Sequence, residues 1–388
     1  MPKKHLLEAI ATLVGFVIGA GILGIPFVVA KAGFVTGIID IIVIGIVILF
    51  LNLYIGEIVL RTKGDHQLTG YANIYLGKIG KKLMTFGMMF GMYGALVAYT
   101  IKEGEFLNAI LSPQFGGSPL IYSILFFIAV SFLVYKGLRI IEESELLMVF
   151  FLLFIGFIIF ILAFSSINQE NLTSFNIKNI FIPYGVVLFA YLGIGAIPEL
   201  REELKNNKED MKKAIIIGSL IPIVVYLIFA FIVVGVTGNA TTEGAILGLA
   251  TVLGFKMLLF GTAFGILTMA TSFIAVGLAL KEMYCFDFGC KKNLASSLVC
   301  FLPLAIALIM IMTNIDNAFF KVIDITGAFS GGLMGVLVVL MIWKAKKFGQ
   351  RKPEYSIKEN KLLNLTFIAM FIAGTIYEIL KIIGLVRI

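Results

Sequence analysis

The 388-residue sequence is 60% hydrophobic and only 14% charged, with a formal net charge of +8 and a mean hydropathy of +1.04. No soluble globular domain needs that much apolar surface, and recurring apolar runs of about 18 residues or more are transmembrane helices. A histidine-centred catalytic site inside the membrane is excluded, because His5 and His66 both sit in polar segments; Cys285, Cys290 and Cys300 lack metal-ligand spacing.

The pattern predicts an all-α integral membrane protein with eleven spans, roughly at 6–31, 34–60, 83–111, 119–136, 145–165, 181–199, 212–237, 255–281, 293–313, 317–344 and 362–386. The first run ends without a small-residue cleavage site, so it reads as a span and not a signal peptide. Inside it, Gly15 to Pro26 (GFVIGAGILGIP) is a poor recipe for continuous helix. Glycine costs up to ~1 kcal/mol against alanine in a helix interior, and proline about 3. Broken backbone in hydrocarbon survives only where protein buries it or where it lines a cavity. A break at Gly19, Ala20 and Gly21 would start a new half-helix whose free N–H groups favour an anion such as a carboxylate. Gly15 and Gly19 also form a G-x-x-x-G, so close helix packing is the competing reading.

The connections are short and no soluble domain is inserted. Thr62 to Lys82 carries Leu68, Tyr71, Ile74, Tyr75 and Ile79, the pattern of an amphipathic helix lying along the membrane surface. Thr241 to Gly254 is apolar but too short to span, and reads as a surface or re-entrant helix. Basic residues cluster on one side, at Lys3 and Lys4, Arg61 to Lys82, Lys136 and Arg139, Arg201 to Lys213, Lys281 to Lys292 and Lys344 to Lys361. Lys31, Lys102, Lys178, Lys256, Lys321, Lys381 and Arg387 are scattered on the other. By the positive-inside rule the N-terminus is cytoplasmic and the C-terminus extracellular, in a plasma-membrane protein.

Span six holds a second break, Tyr191 to Glu199 (YLGIGAIPE), which repeats the G-x-G and following proline of span one. Five spans separate the two, so the second copy enters from the opposite face. Paired Gly/Pro-interrupted spans in two halves point to an inverted-repeat secondary transporter. The chain then divides as one transporter domain over 1–388, with repeat one at 6–165, repeat two at 181–344 and an extra helix at 362–386.

Val14 to Phe34 (VGFVIGAGILGIPFVVAKAGF) resembles the first-span motif of the amino acid/auxin permeases and the aromatic amino acid permeases of the APC superfamily. Tyr71 to Leu107 resembles their second loop and third span, and Ala270 to Leu280 (ATSFIAVGLAL) their eighth span. The resemblance covers most of spans one to ten. It implies the LeuT-type fold of five plus five inverted spans, and amino acid transport, without naming the amino acid.

A zwitterion at mid-bilayer needs N–H donors for its carboxylate, at Gly19 to Gly21, and carbonyls for its ammonium, near Phe189, Ala190 and Gly193. The resemblance favours Tyr99 of span three as a hydroxyl near the carboxylate; a packing tyrosine is the alternative. Ile22, Phe189, Ile194 and Phe273 would surround an apolar or aromatic side chain. No acidic residue lies at the breaks, which disfavours a cationic substrate or a metal. Thr268, Thr271 and Ser272 of span eight, facing the carbonyls of Gly15 and Ile18, offer hard oxygen ligands, where the resemblance implies a Na⁺ site. Hydroxyls bonded back to their own helix are the alternative. Some relatives are proton-coupled, certain of them through a span-five lysine that Glu145 to Ser165 lacks here.

Intramembrane ionisable residues are candidates by default. Glu57, Glu103, Glu199 and Asp324 are the proton or gating candidates, with Glu378 also intramembrane; Lys102 and Glu105 are spaced to pair. The expected activity is import of a neutral amino acid by alternating access, driven by Na⁺ or H⁺. A non-transporting amino acid sensor of the same fold, and a proton-coupled carrier of another small organic substrate, are the alternatives. No nucleotide motif, enzyme-type cluster, resident cofactor or nucleic-acid partner is expected; the partners are the substrate and lipid. The oligomeric state is not specified by the sequence.

Overall fold

The computed structural model describes the backbone of residues 2–136 and 139–386 and the side chains of residues 4–135 and 146–386. Lys3, Lys136 and Arg139 of the charge asymmetry lie outside the described side chains, and Arg387 lies outside the described residues. Among the described residues the chain is all-helical, with no strand. The first span is α1 (Pro2–Val17) and α2 (Gly21–Ala32), bent by 55° across a three-residue break. Next come α3 (Phe34–Arg61), α4 (Leu68–Phe115), α5 (Pro119–Lys136) and α6 (Arg139–Phe164). The second half opens with α7 (Tyr184–Tyr191) and α8 (Ile197–Glu203), the halves of span six, and continues with α9 (Met211–Thr237), the short α10 (Ile246–Leu253), α11 (Phe255–Glu282) and α12 (Lys292–Met312). α13 (Ala318–Thr326) and α14 (Gly332–Phe348) are joined by a π-helical turn at Gly327–Gly331, and α15 (Lys361–Ile382) closes the chain.

Nine of the described helices are long and apolar enough to cross a bilayer, and α1 with α2 makes a tenth. The apolar part of α5, Pro119–Tyr135, is shorter, so nine or ten spans stand where eleven were expected. The expected surface helix is present as the first turns of α4. Gly77 takes φ of 70°, a left-handed conformation that glycine adopts without steric cost, and it turns the surface helix into span three. Leu68, Tyr71, Ala72 and Tyr75 are its buried face, at i, i+3, i+4 and i+7.

The broken helices sit at the centre. α1 and α2 pack on α7, α8, α9 and α11, and α4 lies against α11, α13 and α14. This places buried polar backbone away from lipid, as hydrocarbon requires. α15 lies outside, against α14.

Candidate functional site

The first break begins where the α1 hydrogen-bond ladder stops. Gly19 N–H donates back to Val17 O at 2.9 Å, while the amides of Ala20 and Gly21 have no acceptor among the described residues. Gly19 therefore leaves the expected donor set and Ala20 and Gly21 remain in it, at the positive end of α2. Gly21 is there for contact: a Cβ on it would stand 2.5 Å from Ala190 Cα, so the two broken spans touch backbone to backbone.

The second break lies at Leu192 and Gly193. Gly193 N–H turns back to Tyr191 O at 2.7 Å, and Ala196 N–H to Gly193 O at 3.1 Å. Phe189 O accepts Leu192 N–H at 3.1 Å, which leaves each of these carbonyls a second lone pair. Ala190 O is met differently. The hydroxyl of Tyr226 in α9 lies 2.8 Å from Ala190 O and 2.9 Å from Val17 O, with its single O–H shared between the two acceptors. One tyrosine thus bridges the two breaks. Sequence reasoning missed it, although a tyrosine in the middle of an otherwise apolar span was the available signal, since its O–H must find a partner there.

Tyr99 and Ser272 converge on Gly19: a Cβ at that position would stand 2.7 Å from the Tyr99 hydroxyl and 2.8 Å from Ser272 Oγ. Ser272 donates across the bundle to Gly15 O at 2.7 Å and Ile18 O at 3.2 Å. Thr268 donates to Gly265 O within its own helix, and Thr271 to Leu267 O and Thr268 O. Of the five candidate ion ligands, Ser272, Gly15 and Ile18 are therefore brought together. Ser272 spans the gap between the helices, and the two threonines take the back-bonded arrangement.

A cavity of about 40 Å³ lies between the breaks and α4. Of the expected residues Tyr99, Phe189 and Ile194 line it, joined by Phe16, Met88, Met92, Gly195 and Met334. Ile22 is buried but not in its lining. Phe273 is not in it either; its ring packs edge-on against Phe126 and Phe127 of α5. The reason is rotational: with Ser272 aimed at α1, the next residue is turned by about 100°.

The cavity is shut on the N-terminal face. Thr12 donates to Glu203 at 2.8 Å, joining α1 to α8. Gln67 donates to Gly195 O at 3.0 Å, and Arg201 to Gly64 O at 2.7 Å. On the opposite face Phe27 of α2 meets Phe320 of α13 with ring centroids 5.1 Å apart. A separate cavity of about 710 Å³ lies beyond it, between α10 and the ends of α4 and α12.

The charged candidates fall into distinct settings. Glu57 is fully buried and pairs with Arg61 at 2.8 Å and Lys346 at 3.0 Å, while also accepting from Ser356 Oγ and Ile357 N–H. Asp324 is held by Lys381, which also bonds Glu378 at 2.9 Å. Lys102 and Glu105 pair at 2.5 Å, as their spacing implied. Glu199 stands half-buried in the first turn of α8. Glu103 is fully buried, and neither carboxylate oxygen has a hydrogen-bond partner among the described residues.

This arrangement has relatives. The family model described as the tryptophan/tyrosine permease family matches residues 2–378. "Tyrosine-specific transport system 1" of Haemophilus influenzae is 26% identical over 385 residues, covering 93% of this chain and 92% of its own. "Low affinity tryptophan permease" of Proteus vulgaris is 24% identical, covering 74% and 75%. "Glutamine transporter 2" of Aliivibrio fischeri is 25% identical, covering 69% and 72%. The crystal structure of MhsT in complex with L-phenylalanine superposes with a TM-score of 0.73 at 16% identity, covering 96% of this chain and 98% of that one. That likeness is one of fold, the LeuT-type fold.

Proposed function

The chain belongs to the tryptophan/tyrosine permease family, and from that membership we propose that it imports a neutral, apolar or aromatic amino acid by alternating access, coupled to Na⁺ or H⁺. The observation that carries the reading is the pairing of the two breaks. Among the described residues the Ala20 and Gly21 amides lie without acceptors at the start of α2, and Gly21 packs on the backbone of Ala190, two residues before span six unwinds. Donors on one side and acceptors on the other match a carboxylate and an ammonium on one carbon. The side chain is assigned to the region of Phe16, Met92, Phe189 and Ile194, whose sulfur and ring surfaces suit an apolar or aromatic group once the cavity of about 40 Å³ widens to admit it. Tyr99 is assigned to the carboxylate. Na⁺, where it is the driver, is assigned to Gly15, Ile18, Thr268, Thr271 and Ser272, with the Ser272 hydroxyl turning its lone pair to the ion.

Eleven spans with a cytoplasmic N-terminus and an extracellular C-terminus, in the plasma membrane, complete the reading. The test is counterflow of radiolabelled amino acids in proteoliposomes, with and without Na⁺ and at two pH values. Exchange of tyrosine, tryptophan or phenylalanine is the expected result. Where exchange is Na⁺-dependent, Ser272→Ala is expected to abolish that dependence. Substrate binding without exchange would leave a sensor; no amino acid bound or exchanged by folded protein sinks the assignment.

A further inference from the structure

We propose that Glu103 is a proton-binding site of the transport cycle, neutral in the closed arrangement described above and deprotonated when the surrounding helices part. The inference rests on the transport reading. Glu103 lies four residues from Tyr99 on the same face of α4, one turn nearer the Phe115 end. It is 0% exposed, and both its oxygens lack partners among the described residues.

The contrast with the other acids is the core of the inference. Glu57, Glu105, Asp324 and Glu378 each meet a lysine or arginine. Asp40 of α3 has one buried oxygen without a partner but keeps some exposure. Among the described residues Glu103 has no base bonded to it, and it has no exposure. On its own helix Lys102 and Glu105 pair with each other and line the larger cavity. On the helices packed against α4 the charged groups stand toward the ends or are already paired. On α11 they are Lys256, Lys281 and Glu282, and Lys281 is bonded to Val134 O. On α13 they are Lys321 and Asp324, the latter held by Lys381; on α12 Lys292; on α14 Lys344, Lys346 and Lys347. Described α5 has only the phenols of Tyr122 and Tyr135, and none of these groups bonds Glu103.

A fully buried carboxylate with no donor or counter-charge among the described residues is the costly form, and the neutral acid is the stable one. Helix movement that admits water reverses this. The carboxyl O–H then breaks, water takes the proton as hydronium, and the carboxylate stays solvated. Reclosure requires the proton back. Because Tyr99 shares the face and touches the Gly19 break, occupancy of the substrate site and protonation of Glu103 are linked through one helix.

The experiment uses the full chain in proteoliposomes carrying an internal pH dye, without Na⁺, with the amino acid that counterflow identifies. Wild type is expected to move protons during net substrate flux. Glu103→Gln is expected to lose that proton movement while equal-pH counterflow persists, and Asp40→Asn is expected to keep both. Proton movement retained in Glu103→Gln, or wild-type net flux without protons, overturns the proposal while leaving the transport reading intact. Infrared spectra of the purified proteins give a readout independent of transport. Wild type should show a deuterium-sensitive protonated-carboxyl stretch missing from Glu103→Gln. Its absence from wild type overturns the proposal even where the variant does not fold or no substrate is found.

Discussion

Single side chains set the tolerance of this site. Tyr226 brings one hydroxyl to two backbone carbonyls at the breaks, Ala190 O and Val17 O, the latter also accepting from Gly19 N–H. Tyr226→Phe keeps the ring and strands Ala190 O, so a loss of about 1–3 kcal/mol, the scale of one unsatisfied buried group, is expected. A fall in the thermal midpoint of the purified protein, with substrate affinity falling alongside, checks it; an unchanged midpoint removes the bridging role. Gly21→Ala acts through volume. Its Cβ would overlap Ala190, and forced overpacking costs roughly 1–3 kcal/mol. Counterflow is expected to fail in this variant even where the protein still purifies as a monodisperse species. The glycines themselves were legible in the sequence, because G-x-G before a proline is hostile to helix. Tyr226 was not, since its partners lie 209 and 36 residues away and only folding brings them together. Phe273 was misplaced for a related reason: adjacency to Ser272 in sequence means a different face of the helix.

Between elements, the buried charges act as fasteners. Glu57 near the end of α3 gathers Arg61, Lys346 of α14, and Ser356 with Ile357 N–H from the segment between α14 and α15. Tyr355 adds a bond from its hydroxyl to Leu53 O at 2.8 Å. The segment is thereby strapped between spans two and ten. The sequence marked Glu57 only as an intramembrane proton or gating candidate; its partners on α14 and the following segment are 289 and 299 residues away and are brought to it by folding. Breaking one side of a buried ion pair costs about 3–5 kcal/mol, because the other charge is left bare. Glu57→Gln retains hydrogen bonding but not charge, so it leaves Arg61 and Lys346 uncompensated. Limited proteolysis should then cut between residues 349 and 360 faster than in wild type, while sites in the 168–180 connection stay as resistant as before. Equal protection of the strap in the variant would show that Tyr355 and apolar contacts hold it without the charge. The element count illustrates the limit of reading from pattern. Apolar runs mark where helices lie, but whether Pro119–Tyr135 crosses the bilayer depends on its tilt and neighbours, which composition does not contain.

Across the whole molecule, the two faces of the cavity are closed by different chemistry. On the N-terminal face the closures are polar: Thr12 to Glu203, Gln67 to Gly195 O, and Arg201 to Gly64 O with Asp65 at 3.7 Å. On the opposite face the closure is apolar, Phe27 against Phe320. Opening toward the N-terminal face therefore trades protein hydrogen bonds for water, a nearly balanced exchange that small changes can tip. Opening the other way exposes apolar surface to water. Removing Gln67 and Arg201 should bias the molecule toward the N-terminal opening without touching the substrate donors. Each lost contact shifts that equilibrium by about 1–3 kcal/mol, or roughly 5- to 150-fold. Met92 lines the cavity and is 8% exposed, so Met92→Cys in a background lacking Cys285, Cys290 and Cys300 reports the opening. Adding Gln67→Ala or Arg201→Gln should speed its modification by a thiol reagent supplied from the N-terminal face, and saturating substrate should slow it again. An unaltered rate in both variants would mean that the helices themselves, and not these side-chain ties, keep the cavity shut.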